Sequence, residues 1–368
     1  MQEEAPPLNQ IYFYLTQGCN LRCRHCWIVP KFQGTGEVCS HLKLEVFRSI
    51  LDQAKPLGLQ AVKLTGGEPL IHPHIHDIID TICEEQLSLG VETNGVECTS
   101  AIAAKLAASG NPFVSVSLDG TDAKTHEWVR GVEGCFDAAL AGIRNLVDAH
   151  LKPQIIMTVM KRNSHQVEAL VSLAEGIGAG SVKFNLVQPT ARGEQLHHSQ
   201  ETLSMPEILE LGRYVETELR SSANVPLFFS HPEAFRPLGN IFGNDGNGCS
   251  VCGIFGILGV LGDGTYALCG IGETVPELAF GHAEKDRLET VWKHNPILQS
   301  IREGLPKRLK GICGDCIMKS RCLGSCIAQN YYRDKDFWAP NWFCEEAYKL
   351  GLFPESRIRG RVPVRSGA

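Results

Sequence analysis

The strongest constraint on the fold is a regular alternation of short β-rich runs with longer helical patterns between Ile11 and about Leu219. The helical stretches carry apolar residues at the spacing of amphipathic helices. Because parallel strands need a crossover connection, strands separated by helices predict parallel βαβ units. The predicted strands are residues 11–15, 61–64, 89–93, 113–118, 154–160 and 181–187, and the predicted helices are residues 44–54, 75–85, 100–109, 136–149 and 167–175.

Six such units indicate an α/β fold, a partial (β/α)6 TIM-like barrel, since the full eight-unit barrel takes about 250 residues. After about His231 the sequence becomes rich in glycine, and eight of the 15 cysteines fall between Cys249 and Cys344. We therefore predict a barrel domain over residues 1–235 and a small cysteine-rich α+β domain over residues 236–368. In the second domain we expect a hairpin over residues 248–272, with its turn at 262–264, and a helix over residues 288–302.

Charge and composition exclude several classes of protein. The formal net charge of -6 argues against nucleic-acid binding, which needs a basic face. No apolar run approaches the roughly 18–20 residues of a membrane span. The first ten residues are acidic and proline-rich, unlike a secretory signal. We therefore expect a cytoplasmic protein without membrane or nucleic-acid partners, in which reduced cysteines bind metal or clusters rather than form disulfides.

The first predicted strand leads into a loop with three closely spaced cysteines, Cys19, Cys23 and Cys26. Thiolates ligate four-iron clusters, which normally take four of them, so three leave one iron open to a small molecule. An open position is typical of catalytic metal sites. Taken alone, the loop could instead form a zinc knuckle completed by His25 or His41.

Polar segments follow the next three predicted strands, and together with the cysteine loop they resemble the radical SAM superfamily over about residues 9–220. The resemblance implies an enzyme whose cluster reductively cleaves S-adenosylmethionine (SAM) to a 5′-deoxyadenosyl radical. It implies that one segment contacts the amino group of SAM and the others its nucleoside. The first comprises Gly66, Gly67 and Glu68, and the others contribute Asn94, Ser117 and Asp119. His25 departs from the family, which usually has an aromatic residue there.

Two further residues complete the predicted SAM site. Arg130 resembles the arginine that meets the SAM carboxylate in the anaerobic sulfatase-maturing relatives, although a surface arginine at a helix end is the alternative. Gln188, with Arg192 close by, follows the sixth strand, where the barrel would close over the ligand.

The C-terminal cysteines have the spacing of the SPASM domain, which carries two auxiliary four-iron clusters in radical SAM maturases. The resemblance implies that Cys252, Cys269 and Cys326 hold one cluster, which Cys249 could complete. It assigns to the other cluster Cys313, Cys316, Cys322 and Cys344. The expected cofactors are therefore three [4Fe-4S] clusters and SAM, and the competing hypothesis is one or two structural zinc sites.

Enzymes that this chain resembles mostly modify ribosomally made peptides or proteins by crosslinking, epimerisation, oxidation or backbone excision, and some segments resemble the splicease subgroup. The first strand begins within about a dozen residues, and no N-terminal domain for leader-peptide recognition is visible before it. We therefore expect a separate leader-recognition protein, together with an external electron donor. One alternative is a radical SAM enzyme of small-molecule or cofactor biosynthesis. Another is a non-catalytic electron-transfer or zinc scaffold protein, which would need no SAM pocket.

Overall fold

One ten-stranded sheet organises the computed structural model, which describes residues 5–36, 39–242 and 252–360. Its order is β10-β9-β8-β1-β2-β3-β4-β5-β6-β7, parallel from β8 to β7, with β9 and β10 antiparallel. The strands are β1 (Gln10–Tyr14), β2 (Ala61–Thr65), β3 (Ser88–Thr93), β4 (Phe113–Ser117), β5 (Gln154–Val159), β6 (Ser181–Leu186), β7 (Leu227–Phe229), β8 (Ile257–Val260), β9 (Thr265–Ala267) and β10 (Ala279–His282). A separate two-stranded ribbon pairs Gly18–Cys19 with Lys31–Phe32.

The six strands predicted from the sequence are confirmed as β1–β6, each within one residue at either end. The partial barrel has two further parallel strands, one at each edge. β7 was missed because three residues are too few to show an alternation, and β8 was expected only as one arm of the C-terminal hairpin.

Helices follow most of the parallel strands, and a further group of helices follows β10. They are α1 (Leu44–Ala54), α2 (Ile75–Glu84), α3 (Ser100–Ala108), α4 (Ala123–Arg130), α5 (Cys135–Asp148), α6 (Val167–Gly176), α7 (Arg192–His198), α8 (Met205–Tyr214), α9 (Arg220–Ser222), α10 (Leu238–Phe242), α11 (Leu288–His294), α12 (Pro296–Gly304), α13 (Gly311–Asp315), α14 (Lys319–Cys322), α15 (Ile327–Asp334) and α16 (Trp342–Lys349). None of the helices that the structure describes is long and apolar enough to cross a membrane.

The apolar stripe of each helix explains how it packs. In α1 the buried residues Phe47, Ile50 and Leu51 lie on one face, and the Phe47 ring packs 4.6 Å from the ring of Phe13 on β1. A fully buried side chain of this size stabilises the fold by about 1.5–3 kcal/mol. The same core continues from the barrel into the C-terminal helices.

A hairpin with the predicted turn is present as β8 and β9, but it spans residues 257–267 and is shorter than the predicted 248–272, of which residues 248–251 lie outside the described residues. Its turn places Gly264 at a φ of +95°, a conformation that favours glycine. β8 pairs with β1, so the hairpin extends the sheet of the barrel. A division of the chain between residues 235 and 236 stays a proposal, since the two parts share hydrogen-bonded strands.

The prediction of one helix over residues 288–302 was wrong, because the chain forms two helices, α11 and α12. Asn295 is extended and its side-chain oxygen accepts hydrogen bonds from the N–H groups of Ile297 and Leu298, which starts α12. Pro296 has no N–H to continue α11 and is well suited to the first position of a new helix.

Candidate active site

Three thiols face one cavity at the carboxyl end of β1. Cys19, Cys23 and Cys26 line this space of about 160 Å³, called here the three-thiol cavity. The predicted site residues that also line it are Gly66, Gly67, Glu68, Asn94, Ser117 and Arg130. The site residues predicted from the sequence therefore line one cavity, although they follow four different strands along the chain.

The end of β2 is held tightly against the cysteine loop. The Gly67 N–H donates to the Thr16 carbonyl at 3.0 Å, and the Glu68 N–H donates to the Gly18 carbonyl at 3.0 Å. A Cβ atom on Gly67 would lie 1.8 Å from the Gly18 oxygen, so only glycine allows this approach. The geometry of the thiols therefore depends on the β2 end.

Glu68 is a buried carboxyl that ties β2 to β3. It accepts hydrogen bonds from the N–H groups of Leu70 and Asn94 and from the hydroxyl of Thr93, at 2.6–3.0 Å. Burial raises the pKa of Glu68 to about 7, although these hydrogen bonds oppose the shift. The oxygen that accepts from Asn94 retains one lone pair, with which it could receive an ammonium group.

Polar groups surround the sulfur atoms. The N–H of Leu21 donates to Cys19 Sγ at 3.4 Å, and Arg130 Nη1 donates to Cys23 Sγ at 3.4 Å. The Asn94 amide lies 3.9 Å from Cys19 Sγ and donates to Asn20 at 2.7 Å. Donors of this kind favour thiolate and tune the potential of an iron-sulfur cluster, so the site suits such a cluster.

Asp119 does not line the three-thiol cavity but lies behind it, fully buried. Its carboxylate forms an ion pair with Arg130 at 2.7 Å and accepts a hydrogen bond from the Thr158 N–H at 2.7 Å. Arg130 is buried, so it is not a surface arginine. Asp119 therefore positions Arg130, and contact of Asp119 with a nucleoside stays a prediction.

Two further cavities continue from the three-thiol cavity through the barrel. The lumen cavity, of about 300 Å³, shares His25, Ser117 and Arg130 with the three-thiol cavity. The C-terminal cavity, of about 330 Å³, shares Lys183 and Gln188 with the lumen cavity. The three cavities therefore adjoin in series, with the lumen cavity between the other two.

The far end of this series reaches the C-terminal cysteines. Cys252 and Cys326 line the C-terminal cavity, and Cys269 lies close enough to both to interact with them electrostatically. Burial raises the pKa of the Cys252 thiol to about 12. Cys249, the fourth predicted ligand, lies outside the described residues.

The other four cysteines predicted as cluster ligands surround a small apolar space in the C-terminal part. They are Cys313, Cys316, Cys322 and Cys344. Backbone N–H groups of Asn341 and Met318 donate to the first two sulfur atoms at 3.3 and 3.4 Å. Across residues 5–36, 39–242 and 252–360, no three His, Cys, Asp or Glu side chains converge as ligands of a single metal ion would.

Sequence reasoning missed the polar side chains inside the barrel, chiefly Tyr12, Lys63 and Lys183. Each stands at a half-buried position between buried residues of its strand. A polar residue that interrupts an apolar strand at alternate positions is the signal that could have revealed them, because alternate residues face one side of the sheet.

Comparison with known proteins gives a family and two groups of relatives. The sequence model of the Radical SAM superfamily matches residues 13–174. The chain is similar to an AdoMet-dependent heme synthase from Methanosarcina barkeri, with 30% identity over 349 residues that cover 92% of this chain and 96% of the relative. It is also similar to mycofactocin maturase MftC from Mycobacterium ulcerans, with 28% identity over 358 residues that cover 95% and 91%.

A solved structure shows the same fold. Streptococcus suis SuiB bound to precursor peptide SuiA matches with a TM-score of 0.71 at 18% sequence identity, over 93% of this chain and 76% of that chain. The likeness includes both the partial barrel and the C-terminal part.

Proposed function

The chain belongs to the radical SAM superfamily, and we propose that it is a maturase that modifies a ribosomally made peptide after hydrogen abstraction from it. When bound, the cluster and SAM supply the radical chemistry of the superfamily. The protein contributes position and exclusion of water.

The observation that carries the proposal is the series of cavities between two groups of cysteines. A peptide segment in the lumen cavity would have the three thiols on one side and Cys252 and Cys326 on the other. Cavities of about 300–1,000 Å³ bury ligands of drug size, so a few residues of a peptide would fit. Two metal groups could thus act on one substrate segment.

Residues of the three-thiol cavity have separate roles in this proposal. Cys19, Cys23 and Cys26 hold the cluster, Glu68 and the adjoining glycine backbone receive the SAM amino group, and Arg130 meets its carboxylate. Asn94 and Ser117 take the nucleoside, while Gln188 lies on the substrate side.

We extend the proposal to three [4Fe-4S] clusters. Four buried cysteines around one space in the C-terminal part, and three close together at the C-terminal cavity, support two clusters besides the first. An external electron donor and a separate leader-recognition protein are the expected partners. Reduced thiols of this number suit the cytoplasm.

A second candidate function is synthesis of a small molecule such as haem. It is favoured by the heme synthase relative, which is as similar over the whole chain as the maturase. That enzyme class would place a haem precursor in the same cavities.

One experiment separates the two candidates. The anaerobically reconstituted enzyme is incubated with SAM, a reductant and either short peptides encoded beside its gene or a haem precursor. We expect a change in the mass of one peptide, measured by mass spectrometry, together with 5′-deoxyadenosine. Conversion of the haem precursor with every peptide unchanged would reject the maturase proposal.

A further inference from the structure

Lys183 occupies the junction between the lumen cavity and the C-terminal cavity. It lies on β6 and lines both spaces. Within the part of the chain that the structure describes, its ammonium has no hydrogen bond or ion pair. Burial lowers the pKa of Lys183, and Glu92 acts in the opposite direction. Leaving a charge half-buried without a partner is costly, so such groups normally bind something.

The acidic side chains around Lys183 already have partners. Glu92 pairs with Lys63 at 3.0 Å. Glu233, which lines the C-terminal cavity, pairs with Arg321 at 3.2 Å. Glu216 lies 3.9 Å from the guanidinium of Arg236, which also lines the C-terminal cavity, and 3.2 Å from the imidazole of His231. Among the described residues that line the two cavities, Lys183 is therefore a cation without an acidic partner.

We propose that Lys183 binds a carboxylate of the substrate, either an acidic side chain or the carboxyl terminus of the peptide. The inference rests on the proposed function, since it takes the two cavities as the substrate chamber. Asn185, two residues along β6 on the same face, lines the lumen cavity and offers an amide donor beside the ammonium. A carboxylate accepts both donors through its two oxygens.

The position of Lys183 at the junction of the two cavities determines where a bound substrate would lie. A carboxylate held at the junction places the neighbouring substrate atoms between the three-thiol cavity and the Cys252–Cys326 pair. Anchoring at one point reduces the number of substrate segments that can reach the reacting position. Lys183 is thus a specificity-determining residue, and it favours peptides with an acidic or terminal carboxylate at the modified site.

Binding is tested by isothermal titration of the reconstituted enzyme with three short peptides. The first is a blocked tripeptide with a central glutamate, the second has glutamine there, and the third is triglycine with a free carboxyl end and a blocked amino end. We expect the enzyme to bind one carboxylate peptide about tenfold or more tightly than the glutamine peptide. Preference for the first or the third identifies the source of the carboxylate.

Two variants locate the effect. Lys183→Gln should remove the preference for a carboxylate peptide over the glutamine peptide. If this variant does not fold, Lys183→Met is used in its place. Lys152→Gln, which changes an exposed lysine next to β5, should keep the preference. Equal binding of all three peptides, no binding of either carboxylate peptide, or a preference that survives in Lys183→Gln would overturn the proposal.

The unmodified enzyme from the same preparations is also assayed for SAM cleavage. If it does not cleave SAM, the proposed function is rejected. A failed carboxylate preference with intact cleavage would reject only the role of Lys183.

Discussion

Gly67 is the residue of the three-thiol cavity that least tolerates a side chain, because an added Cβ would collide with the Gly18 carbonyl oxygen. We expect Gly67→Ala to push the β2 end away from the cysteine loop and to break the contacts between Thr16, Gly18 and the β2 end. Iron bound by the first site should fall, by up to about four atoms per chain. Iron and sulfide analysis measures this.

Gly176→Ala is the matched control, since its added Cβ meets no atom within 4 Å. Its iron content should equal that of the unmodified protein. A Gly67→Ala protein with full iron and unchanged SAM binding would contradict the account of the loop.

Glu68 predicts a pH dependence for SAM binding. Its pKa is raised to about 7 by burial, so the carboxyl is largely protonated at pH 5 and ionised at pH 8. Only the ionised form pairs with an ammonium, so SAM affinity should rise with pH between about 5.5 and 7.5, below the pH of about 8 at which an α-amino group loses its own proton. Equilibrium binding between about pH 5.5 and 7.5 measures the rise.

The control for this prediction is Glu68→Gln, which keeps the size of the side chain and cannot ionise. Its SAM affinity should be lower than that of the unmodified protein at about pH 7.5 and should change little with pH between about 5.5 and 7.5. A rise in affinity with pH that persists in this variant would assign the dependence to another group.

At the scale of helices and strands, the sequence predicted the six central strands well because their apolar runs are bounded by helical patterns. Site residues could be placed because parallel strands present their carboxyl ends on one side. The ion pair between Asp119 and Arg130 could not be predicted from the sequence. It depends on the directions of two side chains that come from different parts of the chain. β7 was too short to be recognised, and the break at Asn295 and Pro296 was visible in the sequence but misread.

That break makes a prediction about stability. The Asn295 side chain accepts hydrogen bonds from two N–H groups at the start of α12, where the first N–H groups have no carbonyl partner within the helix. Asn295→Ala should lower the free energy of unfolding by about 1 kcal/mol, as measured by denaturant titration. Glu303→Ala, an exposed position on the same helix, should change it little; an equal effect of the two would contradict the cap.

At the scale of the whole molecule, the sheet joins the two halves of the chain. β8 lies beside β1, and Cys269 follows the other arm of the hairpin, so the sheet fixes the position of Cys269 relative to the three-thiol cavity. The contact is close: a Cβ on Gly259 would lie 2.8 Å from the Cys269 Cα. The cavities between the two groups of thiols are therefore a property of the fold, not of flexible domain docking.

The four-cysteine group in the C-terminal part should bind its own cluster. Cys344→Ala removes one buried ligand and should lower iron by about four atoms per chain and reduce the melting temperature, because the thiols connect α13, α14 and α16. Cys83→Ala, at an exposed cysteine on α2, should change neither quantity. Full iron content in Cys344→Ala would contradict this assignment.

The most direct test of the whole account combines an iron count with an assay for SAM cleavage. The protein is reconstituted anaerobically, iron and sulfide are measured, and 5′-deoxyadenosine is quantified after reduction with SAM present. We predict about twelve irons per chain and SAM cleavage, which Cys23→Ala abolishes. Zinc in place of iron, with SAM left intact, would contradict the account and leave a metal-bound scaffold.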